Sequence, residues 1–561
     1  MMDSRDSIRN NNMKTRDLQH WEAIRNLPLL LKINSRKYGS KTALTREGEI
    51  SYSYEELDLA SRYVASLLHR AGTGKGERVA IFSENSPHWV AAYFGILATG
   101  AITVPILPDF RGTEVRAILQ HAEAKVLFVS GKLRSRIESN LPPSVEMVIL
   151  LDDLRVDPEL ISAHETFYRA DPEDLAAIIY TSGTTGRSKG VMLTHHNILS
   201  NAKQSRSIHE VTEEDHFLSI LPLAHTYECT IGLVVPLLNG ATVHYMDGPP
   251  AASTLAPLLK QLAPTTMLTV PLIIEKIYRS RIKPALYGST LSRLLMKAGI
   301  TRRLLSRAAS RRLLKFFGGR LRFFGVGGAP LAPDVEKFLI EGGFPYAIGY
   351  GLTETSPLVA GFGPSNQTYR SVGSPLEEVT LKIHHPDPLT REGEIVVKGP
   401  NVMKGYYRDE EKTKEVFTED GFFRTGDLGY MDRKGILYIR GRSKNMILGP
   451  NGENIYPEEI EAVINSQDFV HESLVMQYKG KLVARVHLNL DSLEEGFQHL
   501  KENASEFQQQ LQSKADEMLD ELLVQVNQHV ASNSRLQRMI LQVQPFEKTP
   551  TQKIKRFLYS S

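Results

Sequence analysis

Short runs of apolar residues alternate with longer helical patterns along most of the chain. Four of these runs are rich in Val, Ile, Leu or Phe and end in a Ser or Gly turn, namely RVAIFSENS (78–86), KVLFVSG (125–131), LAAIIYTSG (175–183) and LRFFGVGG (321–328). Continuous apolar runs of this kind are typical of strands that are covered on both faces. The pattern predicts an α/β fold with parallel or mixed sheets flanked by helices.

The pattern changes from about residue 377. The segments VTLKIHH, GEIVVKGP and ILYIRGR are separated by Gly and Asp turns and predict a β subdomain. After Gly441 we expect a smaller α+β unit, with a helix from Pro457, a strand pair in SLVMQYKGKLVARVHLNL and a long polar helix over 493–530. The predicted domains are therefore a large one at 1–440 and a small one at 441–561.

One apolar stretch, residues 89–108, contains no Asp, Glu, Lys or Arg and has the length of a membrane span. Gly95, Gly100 and Pro105 interrupt it, so a buried helix ended by Gly100 and followed by a core strand is the favoured interpretation. The N-terminus shows no apolar signal segment. A single cysteine, Cys229, excludes intrachain disulfides and cysteine metal clusters. We predict a cytoplasmic protein.

Charge excludes one class of partner and leaves another open. The 561 residues carry 67 Lys and Arg against 64 Asp and Glu, a net charge of +3, which is too balanced to indicate nucleic-acid binding. Residues 284–333, however, hold ten basic residues and no acidic one, in an amphipathic pattern with leucines on one face. This segment is a solvated helical face, a surface for peripheral association with anionic membranes, or a dock for an acidic partner protein.

The segment YTSGTTGRSKGVMLTHHN, residues 180–197, has the strongest chemical character. It follows an apolar strand and places hydroxyls and glycines before Lys189. Glycines let the backbone approach phosphate oxygens closely, and backbone N–H groups and hydroxyls then donate to them. The spacing does not match GxxxxGK[ST], so this is not a Walker A loop. It predicts a different polyphosphate-binding loop in which Lys189 supplies a point charge.

Three further segments add charged groups suited to a nucleotide. GYGLTETSP (349–357) places Glu354 in a turn, where a carboxylate is a suitable ligand for Mg²⁺ bound to phosphates. FFRTGDLGYMDRKGILYIRGRSKN (422–445) offers Asp427, a strand acid suited to a ribose diol, and then Arg442. KTPTQKIKR near the C-terminus contains Lys553.

Together these ordered motifs resemble the adenylate-forming acyl and aryl ligases, which include acyl-CoA synthetases, adenylation domains of peptide synthetases and firefly-type luciferases. The resemblance runs from about Leu27 to the C-terminus. Within the family, LPLAHTYE (221–228), GGRLRFFGVGGAPL (318–331) and the basic insertion before it look most like long-chain fatty acyl-CoA synthetases. The resemblance implies an α/β domain followed by a mobile α+β lid, with the active site in the cleft between them.

The family's functional positions can be carried over one by one. Those that would line the ATP and AMP site are Thr181, Ser182, Gly183, Thr184, Thr185, Gly186 and Lys189 at the triphosphate, and Gly328, Ala329, Pro330, Gly349, Tyr350, Gly351, Leu352 and Thr353 at the adenine and the acyl carboxylate.

Other positions have individual roles in the family. Thr184 and Glu354 would lie near Mg²⁺, Asp427 would bind the ribose hydroxyls, and Arg442 would help to hold ribose and phosphate. Lys444 falls at the hinge of the small domain, and Lys553 matches the lysine that enters the site during adenylation. His225 matches an aromatic position beside the acyl and pantetheine tunnel.

The implied reaction is ligation of a long-chain fatty acid to coenzyme A, with ATP and Mg²⁺, through an acyl-adenylate. Two departures from the family pattern are Gln552, where glycine is usual before the lysine, and Ser188, where proline is common. The sequence leaves three alternatives open. The acceptor thiol belongs to an acyl carrier protein, whose acidic surface docks on residues 284–333; the chain is a catalytically silent acyl- or nucleotide-binding module; or it is a luciferase-like oxygenase.

Overall fold

The computed structural model describes residues 20–46, 50–137, 141–161, 170–181, 188–248, 250, 252–449, 453–467, 469–488, 504–549 and 553–559. The predicted α/β class is confirmed, because two large sheets in these ranges are flanked by helices. The nine-stranded sheet has the spatial order Ser374–Pro375, Leu358–Phe362, Tyr346–Gly351, Phe323–Val326, Thr266–Thr269, His216–Ser219, Thr242–Tyr245, Thr42–Arg46 and Ile50–Ser53.

A second large sheet packs beside the first. Its seven strands have the order Gly405–Tyr406, Lys189–Thr194, Leu175–Thr181, Ile102–Ile106, Arg78–Phe82, Val126–Val129 and Met147–Leu150. All four apolar runs that predicted buried strands form strands in one of these two sheets. A four-stranded sheet follows, in the order Thr380–His384, Gly393–Lys398, Phe423–Met431 and Leu437–Arg442, and it matches the predicted β subdomain.

Helices cover the sheets. Among the described residues up to 440, α-helices lie in chain order at Leu27–Tyr38, Tyr54–Arg70, Pro87–Ala98, Gly112–Ala122, Gly131–Arg134, His195–Gln204, Val235–Asn239, Ala252–Leu262, Pro271–Ile277, Lys283–Tyr287, Thr290–Lys297, Gly299–Phe316, Pro333–Gly342 and Glu410–Glu415. Two π-helical segments, Tyr227–Val234 and Tyr278–Ile282, interrupt this series.

The apolar stretch at 89–108 forms a helix and a strand as predicted. All twelve residues of Pro87–Ala98 are buried, and the strand Ile102–Ile106 follows. Gly95 allows the close crossing with Tyr54–Arg70, since a Cβ there would lie 2.5 Å from the Cβ of Val64. Within the part of the chain that the structure describes, no helix combines the length and hydrophobicity needed to cross a bilayer.

The segment after Gly441 has its own apolar core. The helices Pro457–Ile464 and Ala504–His529 pack on a three-stranded sheet of Val470–Tyr478, Lys481–Leu488 and Arg538–Leu541. A two-stranded ribbon, Ile447–Leu448 with Asn454–Ile455, precedes this unit. The predicted polar helix is thus present over 504–529, and its expected start at 493–503 lies outside the described residues. The division between residues 440 and 441 stays a prediction.

Burial of a neutral histidine makes the fold sensitive to acid. His195 is 1% exposed and its Nδ1 accepts a hydrogen bond from the Leu27 N–H at 3.4 Å. Burial lowers the pKa of His195 to about 4. Because the unfolded chain binds this proton near pH 6.5, the stability that His195 contributes is present above pH 6.5 and is lost as pH falls towards 4, by about 3 kcal/mol in total.

We therefore expect His195→Gln to flatten the decline of unfolding free energy between pH 6.5 and pH 4, measured by urea denaturation at a series of pH values. The matched control is His196→Gln, which changes the neighbouring exposed histidine and should keep the slope of the original chain. Equal slopes in His195→Gln and the original chain would contradict this assignment.

Candidate active site

The candidate site lies at one edge of the nine-stranded sheet. The strands His216–Ser219, Thr266–Thr269, Phe323–Val326 and Tyr346–Gly351 run parallel to one another. Their carboxyl ends therefore meet at the same edge, which is where open α/β sheets bind ligands. Three predicted site segments follow these strands directly, namely His225, the exposed loop at 328–330, and the turn at 352–354.

The turn that carries Glu354 is held in place by backbone crowding and by an asparagine. A Cβ on Gly351 would lie 1.8 Å from the carbonyl oxygen of Pro357, so only glycine fits there. The 3₁₀ turn Thr353–Thr355 follows. The buried Asn401 Nδ2 donates to the carbonyls of Thr355 at 3.0 Å and Leu358 at 2.7 Å. The backbone around Glu354 is thus fixed before any ligand binds.

Glu354 and Lys189 meet through a tyrosine that the sequence did not indicate. The Tyr406 hydroxyl donates to Glu354 Oε1 at 2.9 Å, and the Lys189 ammonium lies 5.0 Å from the centre of the Tyr406 ring. Tyr406 reaches this position because Gly405–Tyr406 pairs antiparallel with the strand Lys189–Thr194. Burial lowers the pKa of Lys189, and the charges of Lys412 and Lys444 lower it further.

Asp427 is buried at the junction of two sheets and pairs with a partly exposed arginine. Arg442 Nε is 2.8 Å from Asp427 Oδ1, and the Tyr350 hydroxyl donates to Oδ2 at 2.7 Å. Asp427 and Arg442 are cross-strand partners in the four-stranded sheet, whereas Tyr350 belongs to the nine-stranded sheet. Burial raises the pKa of Asp427, and Arg442 and Tyr350 oppose that rise. The carboxylate is therefore positioned and partly neutralised by two defined partners.

Lys553 enters the same cleft from the small C-terminal unit. Its backbone is fixed by Thr549, whose N–H donates to the Lys553 carbonyl at 2.8 Å and whose Oγ1 accepts from the Lys553 N–H at 3.2 Å. Lys553 retains solvent contact, yet protein surrounds it on most sides, and this enclosure lowers its pKa. Arg442 lowers the pKa further, while Asp427 and Glu354 raise it. Lys553 thus lies within electrostatic range of all three residues.

His225 lies beside Lys553 and is neutral near pH 7. Enclosure by protein lowers its pKa to about 4, and the charge of Lys553 adds to that effect. Its Nδ1 accepts a hydrogen bond from the Tyr227 N–H at 3.2 Å. Tyr227 in turn fills the space over two glycines. A Cβ added to Gly325 would lie 2.9 Å from the tyrosine hydroxyl, and one added to Gly327 would lie 3.2 Å from the tyrosine ring. His225 therefore offers an uncharged aromatic surface.

The structure brings together most of the predicted site residues that it describes. Arg442 pairs with Asp427, and Lys553 lies within electrostatic range of both, of Glu354 and of His225, which places these five residues around one cleft. Thr181 and Lys189 are paired at the mouth of the hairpin that holds the predicted phosphate loop. Lys444 lies exposed in the turn after Leu437–Arg442.

The central part of that loop falls outside the described residues. The predicted members concerned are Ser182, Gly183, Thr184, Thr185 and Gly186, together with Gln552 near the C-terminus. Among the residues that are described, no group of three or more His, Cys, Asp and Glu side chains is placed to hold a metal ion. A single carboxylate suits a Mg²⁺ ion that takes most of its ligands from substrate phosphates and water. Glu354 can supply that carboxylate, because Tyr406 donates to Oε1 and the ion would bind Oε2.

Comparisons with known proteins show which family the chain resembles. The model of the family described as AMP-binding enzyme matches residues 31–407. The peroxisomal long chain acyl-CoA synthetase 6 of Arabidopsis thaliana is 30% identical over 488 residues, which are 79% of this chain and 69% of that protein. ATP-bound MatB from Rhodopseudomonas palustris is 25% identical, with a TM-score of 0.75 over 94% of this chain and 97% of that one.

A second solved structure with the same fold contains both ATP and a metal ion. The O-succinylbenzoate coenzyme A synthetase (MenE) of Bacillus subtilis, in complex with ATP and magnesium ion, is 23% identical. Its TM-score is 0.73, over 94% of this chain and 98% of that one.

Proposed function

This chain belongs to the family of AMP-binding enzymes, and on that premise we propose that it ligates a long-chain fatty acid to coenzyme A, using ATP and Mg²⁺. The observation that carries the proposal is the convergence of Lys553, Arg442, Asp427 and Glu354 on one cleft at the carboxyl edge of the nine-stranded sheet. The long-chain specificity rests on relatives that are named long-chain acyl-CoA synthetases and long-chain-fatty-acid–CoA ligases.

In the first half-reaction a carboxylate oxygen of the fatty acid attacks the α-phosphorus of ATP. The new O–P bond gives acyl-AMP, and the bond to the β-phosphate breaks to release pyrophosphate. Negative charge on the α-phosphate is stabilised by Lys553, and Lys189 faces the β- and γ-phosphates. Glu354 would hold Mg²⁺, and the bound ion would supply charge neutralisation at the phosphate oxygens. Asp427, oriented by Tyr350 and Arg442, accepts hydrogen bonds from the ribose hydroxyls.

In the second half-reaction the thiol of coenzyme A releases its proton to solvent and its sulfur attacks the acyl carbonyl carbon. The new C–S bond gives the thioester, and the bond from that carbon to the phosphate oxygen breaks, so AMP leaves with the bonding electrons. The thiol needs the space that Lys553 occupies, so the small domain must move. We assign the pivot to Lys444, which lies exposed in a turn that absorbs backbone rotation. His225 is neutral near pH 7 and lines the thiol path without attracting the thiolate or a proton.

The alternatives are less well supported. A catalytically silent binding module has no need of Lys553, which interacts unfavourably with Arg442 in the absence of substrate. An acyl carrier protein would require its acidic surface to dock on residues 284–333, whereas the relatives are named as CoA ligases. The luciferase-like alternative shares the first half-reaction and differs only in what becomes of the adenylate. The cytoplasmic location stays a prediction.

The activity is tested by measuring pyrophosphate release with Mg²⁺ across a panel of acids, with coenzyme A and acyl carrier protein offered separately. We expect release that requires Mg²⁺ and is fastest with long aliphatic acids, and thioester formation on coenzyme A. A preference for acetate, aromatic acids or amino acids would contradict the long-chain assignment. Transfer to the carrier protein alone would contradict coenzyme A as acceptor.

The two half-reactions should separate by mutation. Lys553→Ala should slow acyl-AMP formation about 10²–10³-fold, the usual effect of losing one charge-stabilising donor. It should leave thioester formation from synthetic acyl-AMP largely unchanged. Lys444→Pro fixes φ near −65° and should do the reverse. Pyrophosphate release and single-turnover transfer measure the two steps, and equal damage to both by Lys553→Ala in a folded protein would contradict its role.

We also propose that the basic segment binds anionic membranes, where fatty acids partition. Its first part, up to residue 316, lies in the helices Lys283–Tyr287, Thr290–Lys297 and Gly299–Phe316, and the buried strand Phe323–Val326 follows. Apolar side chains that would normally be buried are exposed here, namely Leu291 (66%), Leu294 (63%), Ile300 (79%) and Leu304 (60%). The exposed arginines and lysines that surround them, Arg293, Lys297, Arg303, Arg307 and Arg311 among them, attract anionic lipid headgroups.

Co-sedimentation with vesicles that contain phosphatidylserine should therefore show binding that weakens as salt is raised. Leu294→Glu should reduce the bound fraction several-fold, because it removes apolar insertion and adds repulsion at the surface. Leu389→Glu is the matched control, since Leu389 is equally apolar and 93% exposed but lies outside the segment. Binding that is absent, insensitive to salt, or equally reduced by both variants would favour a merely solvated helical face.

A further inference from the structure

The helix Pro457–Ile464 of the small unit is held at its carboxyl end by an arginine from the large one. Arg279 Nη1 donates to the Ser466 carbonyl at 2.7 Å, and Nη2 donates to the Asn465 carbonyl at 2.9 Å. Asn465 is the C-terminal cap of the helix, and its N–H is used within the helix by a 2.8 Å bond to the Glu461 carbonyl. The guanidinium thus binds two backbone carbonyls that follow the last helical turn.

This contact suits the chemistry of both partners. The last carbonyls of an α-helix have no intrahelical donor and carry the negative end of the helix dipole. A guanidinium presents two parallel N–H groups in a planar fork, so it can satisfy two adjacent carbonyls at once. The interaction links residues that are 187 and 186 positions apart in the chain, and it therefore depends on how the two units are docked.

The large unit presents Arg279 on a distorted helix. Tyr278–Ile282 is π-helical and lies between the α-helices Pro271–Ile277 and Lys283–Tyr287. Such an insertion rotates the side chains that follow it, and it is frequent at functional sites. Burial raises the pKa of Glu275, four residues before Arg279, and the charge of the arginine opposes that rise. Tyr278 packs against Phe338, with ring centres 5.2 Å apart, which anchors the segment to the core.

The other end of the helix is held near the predicted hinge. Arg440 Nη1 is 2.9 Å from Glu459 Oε1, and the Tyr456 hydroxyl donates to Glu392 Oε2 at 2.7 Å. Arg440 lies four residues before Lys444 in sequence. Arg279, by contrast, contacts the carboxyl end of the same helix, which is farther from Lys444 in the sequence.

We propose that Arg279 is a positioning residue that holds the small domain in the arrangement in which Lys553 reaches the cleft. This inference rests on the proposed function, in which Lys553 serves adenylation and must then withdraw. Rotation about Lys444 carries the helix Pro457–Ile464 away and breaks both bonds from Arg279. Arg279 therefore favours the adenylating arrangement and opposes the one that forms the thioester, without touching either substrate.

The test compares the two half-reactions in the full-length protein. Arg279→Ala should slow acyl-AMP formation about tenfold, the effect of losing hydrogen bonds from one charged group, by reducing the docked population. Thioester formation from synthetic acyl-AMP should be unchanged or faster. Arg279→Lys, which keeps the charge but not the fork, should recover part of the first rate. Arg281→Ala is the matched control, because Arg281 lies in the same π-helical segment but contacts Phe316, 4.6 Å from the ring centre.

A second readout follows the docking directly. Thr390→Cys in the large unit and Lys481→Cys in the small one place fluorophores on exposed sites, and the native Cys229 is buried. Energy transfer in the ligand-free protein should report a smaller docked fraction in Arg279→Ala than in Arg281→Ala. Unchanged energy transfer, or an equal loss of both half-reactions, would overturn the proposal. Absence of adenylation in the original chain would overturn the proposed function instead, and the energy-transfer result would still decide the role of Arg279.

Discussion

The cleft concentrates positive charge, and the arrangement of the rest of the molecule follows from that constraint. Three cations, Lys189, Arg442 and Lys553, surround the site. Lys189 lies within electrostatic range of Glu354, and Lys553 lies within electrostatic range of Glu354, Asp427 and Arg442. Burial lowers the pKa of both lysines, and the nearby cations lower it further. Such a site repels its own parts when it is empty and is suited to a polyphosphate, whose negative charge offsets the repulsion.

The charges around Lys553 oppose one another, since Arg442 disfavours its ammonium form whereas Asp427 and Glu354 favour it. The two units are also joined by contacts away from the cleft. The helix Pro457–Ile464 provides them at both ends, through Arg279 at its carboxyl end and through Arg440 at Glu459. These contacts are few and partly exposed, so each is worth little alone. An interface balanced in this way can be reversed within a catalytic cycle, which a large apolar interface would prevent.

The large sheets hold the acidic groups of the site on fixed elements. The buried helix Pro87–Ala98, crossed closely at Gly95, fixes the seven-stranded sheet against the nine-stranded one. Asn401 and Gly351 then hold the turn of Glu354, and Tyr350 holds Asp427 from the opposite sheet. The acidic groups are thus preorganised on fixed elements, while the decisive cation, Lys553, arrives on a separate unit.

The sequence by itself determined the main strands and helices and most of the charged residues of the candidate site. Apolar runs predicted the buried strands because burial on both faces leaves a local signature, and Lys189, Glu354, Asp427 and Lys553 could be selected because their motifs are short and contiguous. Tyr406 and Arg279 could not be selected in this way. Tyr406 reaches Glu354 only through strand pairing with Lys189–Thr194, and Arg279 reaches Ser466 only through the docking of two units. Hydrogen bonds between distant segments depend on strand register and on how two elements pack against each other. Neither can be predicted from the residues next to the donor in the sequence. Only the tertiary structure decided which side chains orient the acids of the site and which arginine contacts the helix of the small unit.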